Sequence, residues 1–217
     1  SDAQKARILD SRERGTTVLA EAIAGMANPP RVLVSGSAVG WYGDRGDEVL
    51  TEASAAPADP DFLARVCVAW EAATAPAEAA GVRTVHLRTG IVLTPRGGAL
   101  GRLVLPFKLG LGGRIGTGRQ WMSWISIDDE VGAILHAIER DDLRGPVNAT
   151  APAPASSGSD GGRIRHEGPI AHASAASVDC AGPGPRIFRA GPGSAPHGVP
   201  HRTPTARVPA APGFVLD

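Results

Sequence analysis

The chain has 217 residues and balances 22 Lys plus Arg against 22 Asp plus Glu, so its formal net charge is zero. That balance gives no basic footprint for nucleic acid or an anionic membrane, and no apolar run reaches the roughly 18 residues of a membrane-crossing helix. Two cysteines, Cys67 and Cys180, stand in unlike contexts and make neither a disulfide framework nor a metal-ligand spacing, which suits a reducing, cytoplasmic setting.

In chain order, Ile8, Val18, Leu19, Ala22 and Ile23 recur at roughly helical spacing and predict a helix over Ser1–Met26, with Asp2 as an N-cap candidate. Gly15 inside it suggests a close neighbour, and Pro29-Pro30 ends the segment. The rest of the chain is organised around the stretch Arg31–Asp47. Val32, Leu33 and Val34 read as a buried parallel strand that empties into a hydroxyl-rich turn at Ser35, Gly36 and Ser37. Trp41 and Tyr42 come next, then a polar loop in which Asp44 and Asp47 read as turn formers. Ligands of open α/β sheets sit beyond the carboxyl ends of the strands, where these groups would stand; the bland alternative is an ordinary Ser/Gly turn.

Asp61 is expected to cap a helix running from Phe62 to about Ala80, with Pro76 kinking or ending it. Val82–Leu93 reads as a second strand, Leu100–Leu111 as a helix, Gly110–Gly118 as a glycine loop and Trp121–Ile127 as a strand-like run. Asp128 and Asp129 are expected to cap a helix that ends near Arg140, and Gly145–Thr150 is a short strand. Strands alternating with helices predict an α/β fold with a parallel sheet over residues 1–150. From Ala151 to Asp217 neither helical nor strand periodicity survives, lysine is absent and Ala, Pro, Gly, Ser, Arg and His dominate. Such composition predicts a disordered C-terminal tail, or the product of an alternative reading frame in GC-rich DNA. The four histidines there show no Cys-x2-Cys companion, and no metal is assigned.

Five blocks in order, SGSAVGWYGDRGDE, DFLARVCVAWEAA, VHLRTGIVLTPRGGAL, GRQWMSWISIDDEVGAILHAIE and GPVNATAP, resemble the epimerase-like branch of the extended short-chain dehydrogenase/reductases. The resemblance covers about Lys5 to Pro152. It implies a Rossmann-like domain that binds NAD(P), with NADP(H) slightly preferred, and a small-molecule substrate of the nucleotide-sugar or carbonyl kind. The glycine-rich phosphate loop of that family is expected well before Ser1, so the sheet is expected to lack its first βαβ unit and the chain to be a truncated product with a replaced C-terminus. Such a chain would be impaired in cofactor binding.

The resemblance also orders the site residues. Ser37 falls where the family positions a substrate hydroxyl or carbonyl, while the place of the Tyr-x3-Lys dyad, near Phe62–Cys67, holds neither residue. Tyr42, the one tyrosine, is the substitute acid/base, with Arg45 as a possible charge partner; the alternative is a packing role for Trp41 and Tyr42. Ser35, Gly36, Arg88, Thr89 and Gly90 are implied beside the cofactor, with an ordinary ion pair as the alternative for Arg88. His86 reads as a satisfied core histidine rather than a base. Arg119, Gln120, Trp121 and Trp124 form the candidate substrate rim, or else a Trp-anchored core edge. Relatives usually read WIHxDD here, and Ser126 takes the histidine's place. A non-catalytic NADP(H)-binding regulator or scaffold is the alternative function that the missing dyad favours, and a non-functional fragment is the reading that the two ends favour.

Overall fold

A computed structural model describes residues 1–94, 97–98, 101, 105–106, 108–110, 120–152 and, for backbone only, 155–156 and 206–207. Helix α1 spans Asp2–Ala24, with Ser1 rather than Asp2 at the N-cap. Gly15 does not mark a close approach: a Cβ there would meet nothing within 4 Å, and the helix runs through it. Buried Ala20 and Ile23 pack with Leu33, Ala77 and Val82, anchoring the helix to the sheet.

Strand β1 is Val32–Ala38, longer than the sequence suggests. Ser35, Gly36 and Ser37 are strand, not turn, because β1 pairs in parallel with β3 (Arg83–Thr89) through Ala38↔Thr89. The small residues serve packing instead. A Cβ on Gly36 would meet Trp70 Cζ2 at 3.0 Å, so the glycine leaves room for the indole. The turn comes afterwards, as a short 3-10 segment at Val39–Tyr42, followed by β2 (Val49–Leu50).

Asp61 caps α2 (Phe62–Ala72) by accepting from the Ala64 N–H at 2.8 Å. Helix α3 (Ala75–Ala79) follows after a break at Ala73-Thr74, with Pro76 in its first turn, where a missing N–H does no harm. The predicted second strand divides at Gly90 into β3 and β4 (Ile91–Leu93). A Cβ on Gly90 would meet the Ser123 carbonyl oxygen at 2.8 Å and Thr150 Cγ2 at 3.2 Å. Gly90 donates to the Ala149 carbonyl and Ile91 to that of Ser123, so the chain changes partners within one residue.

Strands β5 (Trp121–Met122) and β6 (Trp124–Ser126) precede α4 (Ile127–Glu139), and β7 is Gly145–Ala149. The cap of α4 is Ser126, not Asp128 or Asp129: its Oγ accepts from the Asp129 N–H at 3.1 Å and donates to Asp129 Oδ2 at 2.6 Å. The main sheet is parallel in the order β1-β3-β7, and β4 pairs in parallel with β6. One face of the sheet carries Val85, Leu87, Val147 and Ala149, packed with Ile125 and with Ala137 of α4. The other lies under α1, α2 and α3. Among the described residues no helix is long and apolar enough to cross a membrane.

The helix expected over Leu100–Leu111, the glycine loop and Arg119 lie wholly or largely outside the described residues, as does most of Ala151–Asp217. Two backbone pairings are described in that last segment: β8 (Ala155–Ser156) runs antiparallel to β5 and β9 (Ala206–Arg207) antiparallel to β2.

Candidate active site at the carboxyl ends of β1, β3 and β7

Parallel registration sets three residues side by side. Ser37 pairs with Arg88, and Arg88 with Asn148, so their side chains leave the same face of the sheet near its carboxyl edge. Above them lies α2, whose buried face carries Ala64 and Cys67 and continues to Glu71 at helical spacing. An acid thus arrives over an arginine.

The Arg88 guanidinium, 2% exposed, grips Glu71 with two parallel bonds, Nε to Oε1 and Nη2 to Oε2, both 2.8 Å. Its remaining nitrogen donates to the Tyr42 hydroxyl at 3.1 Å and reaches the Glu52 carbonyl at 3.5 Å. The plane stacks 3.6 Å from the Trp41 ring centre. Ser37 Oγ donates to Glu71 Oε1 at 2.7 Å, and Tyr42 donates to Asn148 Oδ1 at 2.7 Å. Glu52 closes the far side by accepting from the Asn148 N–H at 3.0 Å.

Burial governs the acidities. It pushes the Tyr42 phenol above its ordinary range, and the hydrogen bond from Arg88 only partly opposes this. For Arg88, burial works against the charge, yet bonds to Glu71 and Tyr42 outweigh it and raise the pKa. Burial lifts the Cys67 thiol to about 11, which leaves it inert at neutral pH. His86, buried one pleat below, meets Thr74 Oγ1 at 2.9 Å, and burial lowers its pKa. It is a core histidine.

The opposite face ends differently. Thr89 Oγ1 donates to Glu130 Oε1 at 2.8 Å, and burial raises the Glu130 carboxyl. Three buried side-chain atoms lack a hydrogen-bond partner among the described residues: Gln120 Oε1, Glu130 Oε2 and Asn148 Nδ2.

The structure therefore joins Ser37, Tyr42 and Arg88 into one network through Glu71. Of the two readings of Arg88, the geometry is that of a buried ion pair. Arg45 is not the partner of Tyr42; it binds Glu48 at 2.7 and 2.8 Å, and the cation at the phenol is Arg88. Ser35 is buried with its hydroxyl 3.4 Å from the Gly36 carbonyl. Gly36 and Gly90 stand where neighbouring protein approaches closely. Trp121 donates from Nε1 to Asp47 Oδ1 at 2.6 Å, tying the polar loop to β5, and Trp124 pairs with Ile91. Asp44 accepts from the Gly46 N–H and does form the turn.

Glu71, Glu52, Asn148 and Glu130 were not singled out in the sequence. Glu71 left a signal, a lone acid three and four residues past the apolar positions of α2. The others are joined by tertiary structure: Asn148 by strand registration, Glu52 by chain reversal and Glu130 by the placement of α4.

Comparison with known proteins gives a concordant picture. An epimerase family protein of Mycobacterium bovis is 49% identical over 156 residues, covering 71% of this chain and 50% of that protein. A nucleoside-diphosphate sugar epimerase from Corynebacterium glutamicum is 47% identical with a TM-score of 0.66, covering 72% of this chain and 33% of that one. The human epimerase family protein SDR39U1, solved with NADPH, is 36% identical with a TM-score of 0.68, covering 72% of this chain and 52% of that one. The chain spans about half the length of the curated relatives it matches. Residues 1–149 match the pattern of one family, and the chain belongs to it: the NAD dependent epimerase/dehydratase family.

Proposed function

We propose that this chain supplies the nicotinamide- and substrate-facing part of an NAD(P)-dependent epimerase or oxidoreductase acting on a nucleotide-sugar-like or carbonyl substrate. The observation that carries the reading is the registration of Ser37, Arg88 and Asn148 at the carboxyl ends of three parallel strands, the edge where open α/β sheets hold ligands. The buried side-chain atoms left without partners fit such a ligand in their chemistry. They comprise two oxygens and one amide N–H group, and a nicotinamide carboxamide or a sugar hydroxyl supplies the complementary groups. A relative solved with NADPH supports the cofactor class and favours NADP(H).

When bound, nicotinamide supplies hydride exchange with a carbinol or carbonyl carbon. The residues of this chain do the rest. Glu71 and Arg88 hold Tyr42 rigid, and burial, by raising the pKa, keeps its phenol protonated at neutral pH, a donor rather than a resting base. Ser37 is the hydroxyl that would orient substrate, and Gln120, Trp121 and Trp124 form its rim. Thr89, Gly90, Ser35 and Gly36 lie beside the cofactor in this reading.

A non-catalytic NADP(H) sensor is the second reading. It is favoured by Tyr42 being fully buried and by the Ser37 hydroxyl already donating to Glu71. Titrating the protein with NADPH by nicotinamide fluorescence, then assaying hydride transfer to a panel of UDP-sugars and carbonyl compounds, separates the two. Binding with turnover that Tyr42→Phe abolishes is the expected result. Binding without turnover makes the protein a sensor, and absence of both overturns both readings.

A further inference from the structure

Glu71 grips Arg88, Arg88 donates to Tyr42, Tyr42 donates to Asn148, and there the chain of buried hydrogen bonds stops. Its direction is dictated by chemistry. A guanidinium only donates, so the phenol oxygen accepts from it and the phenol proton must go onward. The atom facing Tyr42 is therefore the amide oxygen of Asn148, and the amide nitrogen is turned away. That nitrogen, Nδ2, is buried with no partner, the one buried side-chain nitrogen left so among the described residues. The backbone N–H of the same residue is satisfied by Glu52, so the defect lies in the side chain alone.

We infer that Asn148 contacts ligand directly, its Nδ2 donating to a carbonyl-type oxygen of a molecule lying across the carboxyl ends of β3 and β7. The inference rests on the reading proposed above and adds to it a residue and an atom. The requirement is an acceptor: a group that offers only N–H, or a cation, leaves Nδ2 as it is. The network also strengthens the donor, since positive charge at Arg88, relayed through the phenol, draws on Oδ1 and polarises the amide. Two sources share this chemistry, the carboxamide oxygen of nicotinamide and an oxygen of the substrate.

Asn148→Asp preserves shape and the acceptor for Tyr42 while removing the donor. The protein and this variant are titrated with NADPH, with 2′-phospho-ADP-ribose, which lacks the nicotinamide, and with UDP-glucose, and their melting temperatures are compared. Tenfold or greater weakening of NADPH alone, at unchanged melting temperature, assigns the contact to the carboxamide. The same weakening of UDP-glucose alone assigns it to substrate. Asn148→Ser, which withdraws the amide without adding charge, is expected to repeat the result and stands in should the aspartate variant fold poorly. Equal affinities in protein and variants, or a general fall of all three together with the melting temperature, overturns the inference while the proposed function stands. If the unmodified protein binds none of the three probes, both fall.

Discussion

Val85 and Leu87 of β3 point into a cluster of aliphatic side chains; His86 and Arg88, each one residue along, point into a network of acids, hydroxyls and a phenol. The two faces of one strand are thus held by different physics. Aliphatic packing is non-directional and scales with the area removed from water. The polar face depends on pairing, because a buried charge without its partner costs far more than the pair returns. The apolar face therefore accepts volume-conserving change, and the polar face accepts change only in matched sets.

The sharpest way to break that contrast is at the ion pair. Arg88→Met should cost about 3–5 kcal/mol, because Glu71 is left buried and charged. Adding Glu71→Met to it should return most of the loss, by the same principle. Chemical denaturation of the two variants reads both numbers, and a double variant no better than the single would show that the network is not an isolated pair.

Both faces of β3 end at Gly90, where the chain passes into β4. Gly90→Ala drives a methyl into the Ser123 carbonyl, a contact of 2.8 Å that only backbone movement relieves. The expected cost is about 1–3 kcal/mol, measured the same way. A neutral outcome would mean that β4 and β6 are free to part.

The smallest effect concerns pH. Burial lowers the pKa of His86, so the folded protein resists a proton that the unfolded chain accepts. Stability is then unaffected well above the unfolded value of about 6.5 and declines as pH falls below it, by at most about 1.4 kcal/mol per pH unit for one proton. The Glu130 carboxyl has the opposite sign, its pKa being raised, so its contribution is present at low pH and lost as pH rises through the folded value. Comparing melting temperature against pH for the protein and for His86→Gln isolates the histidine term. An unchanged slope in the variant would show that His86 takes up its proton equally in the folded and the unfolded chain.

Much of the fold was legible in order along the chain. Local chemistry placed α1, the Asp61 cap of α2, an interruption of the helix close to Pro76, strand structure within Val82–Leu93 and the parallel sheet, because apolar periodicity, caps and proline act within a few residues. It also placed Ser37, Tyr42, Arg88 and Thr89 at the carboxyl end of the sheet. Where sequence reasoning failed, the cause was tertiary. Ser35-Gly36-Ser37 looked like a turn because small polar residues favour turns, but pairing with β3 and the indole of Trp70 require small residues in a strand. Arg45 looked like the partner of Tyr42 because it is near in sequence, whereas the actual partner is 46 residues away. The sequence by itself determined which side chains were available and on which strand each would stand. Only the tertiary structure decided that Glu71 faces Arg88 and that Asn148 is left with an unmet donor. Hydrogen-bond partnership is fixed by strand registration and helix placement, and neither is written in local spacing.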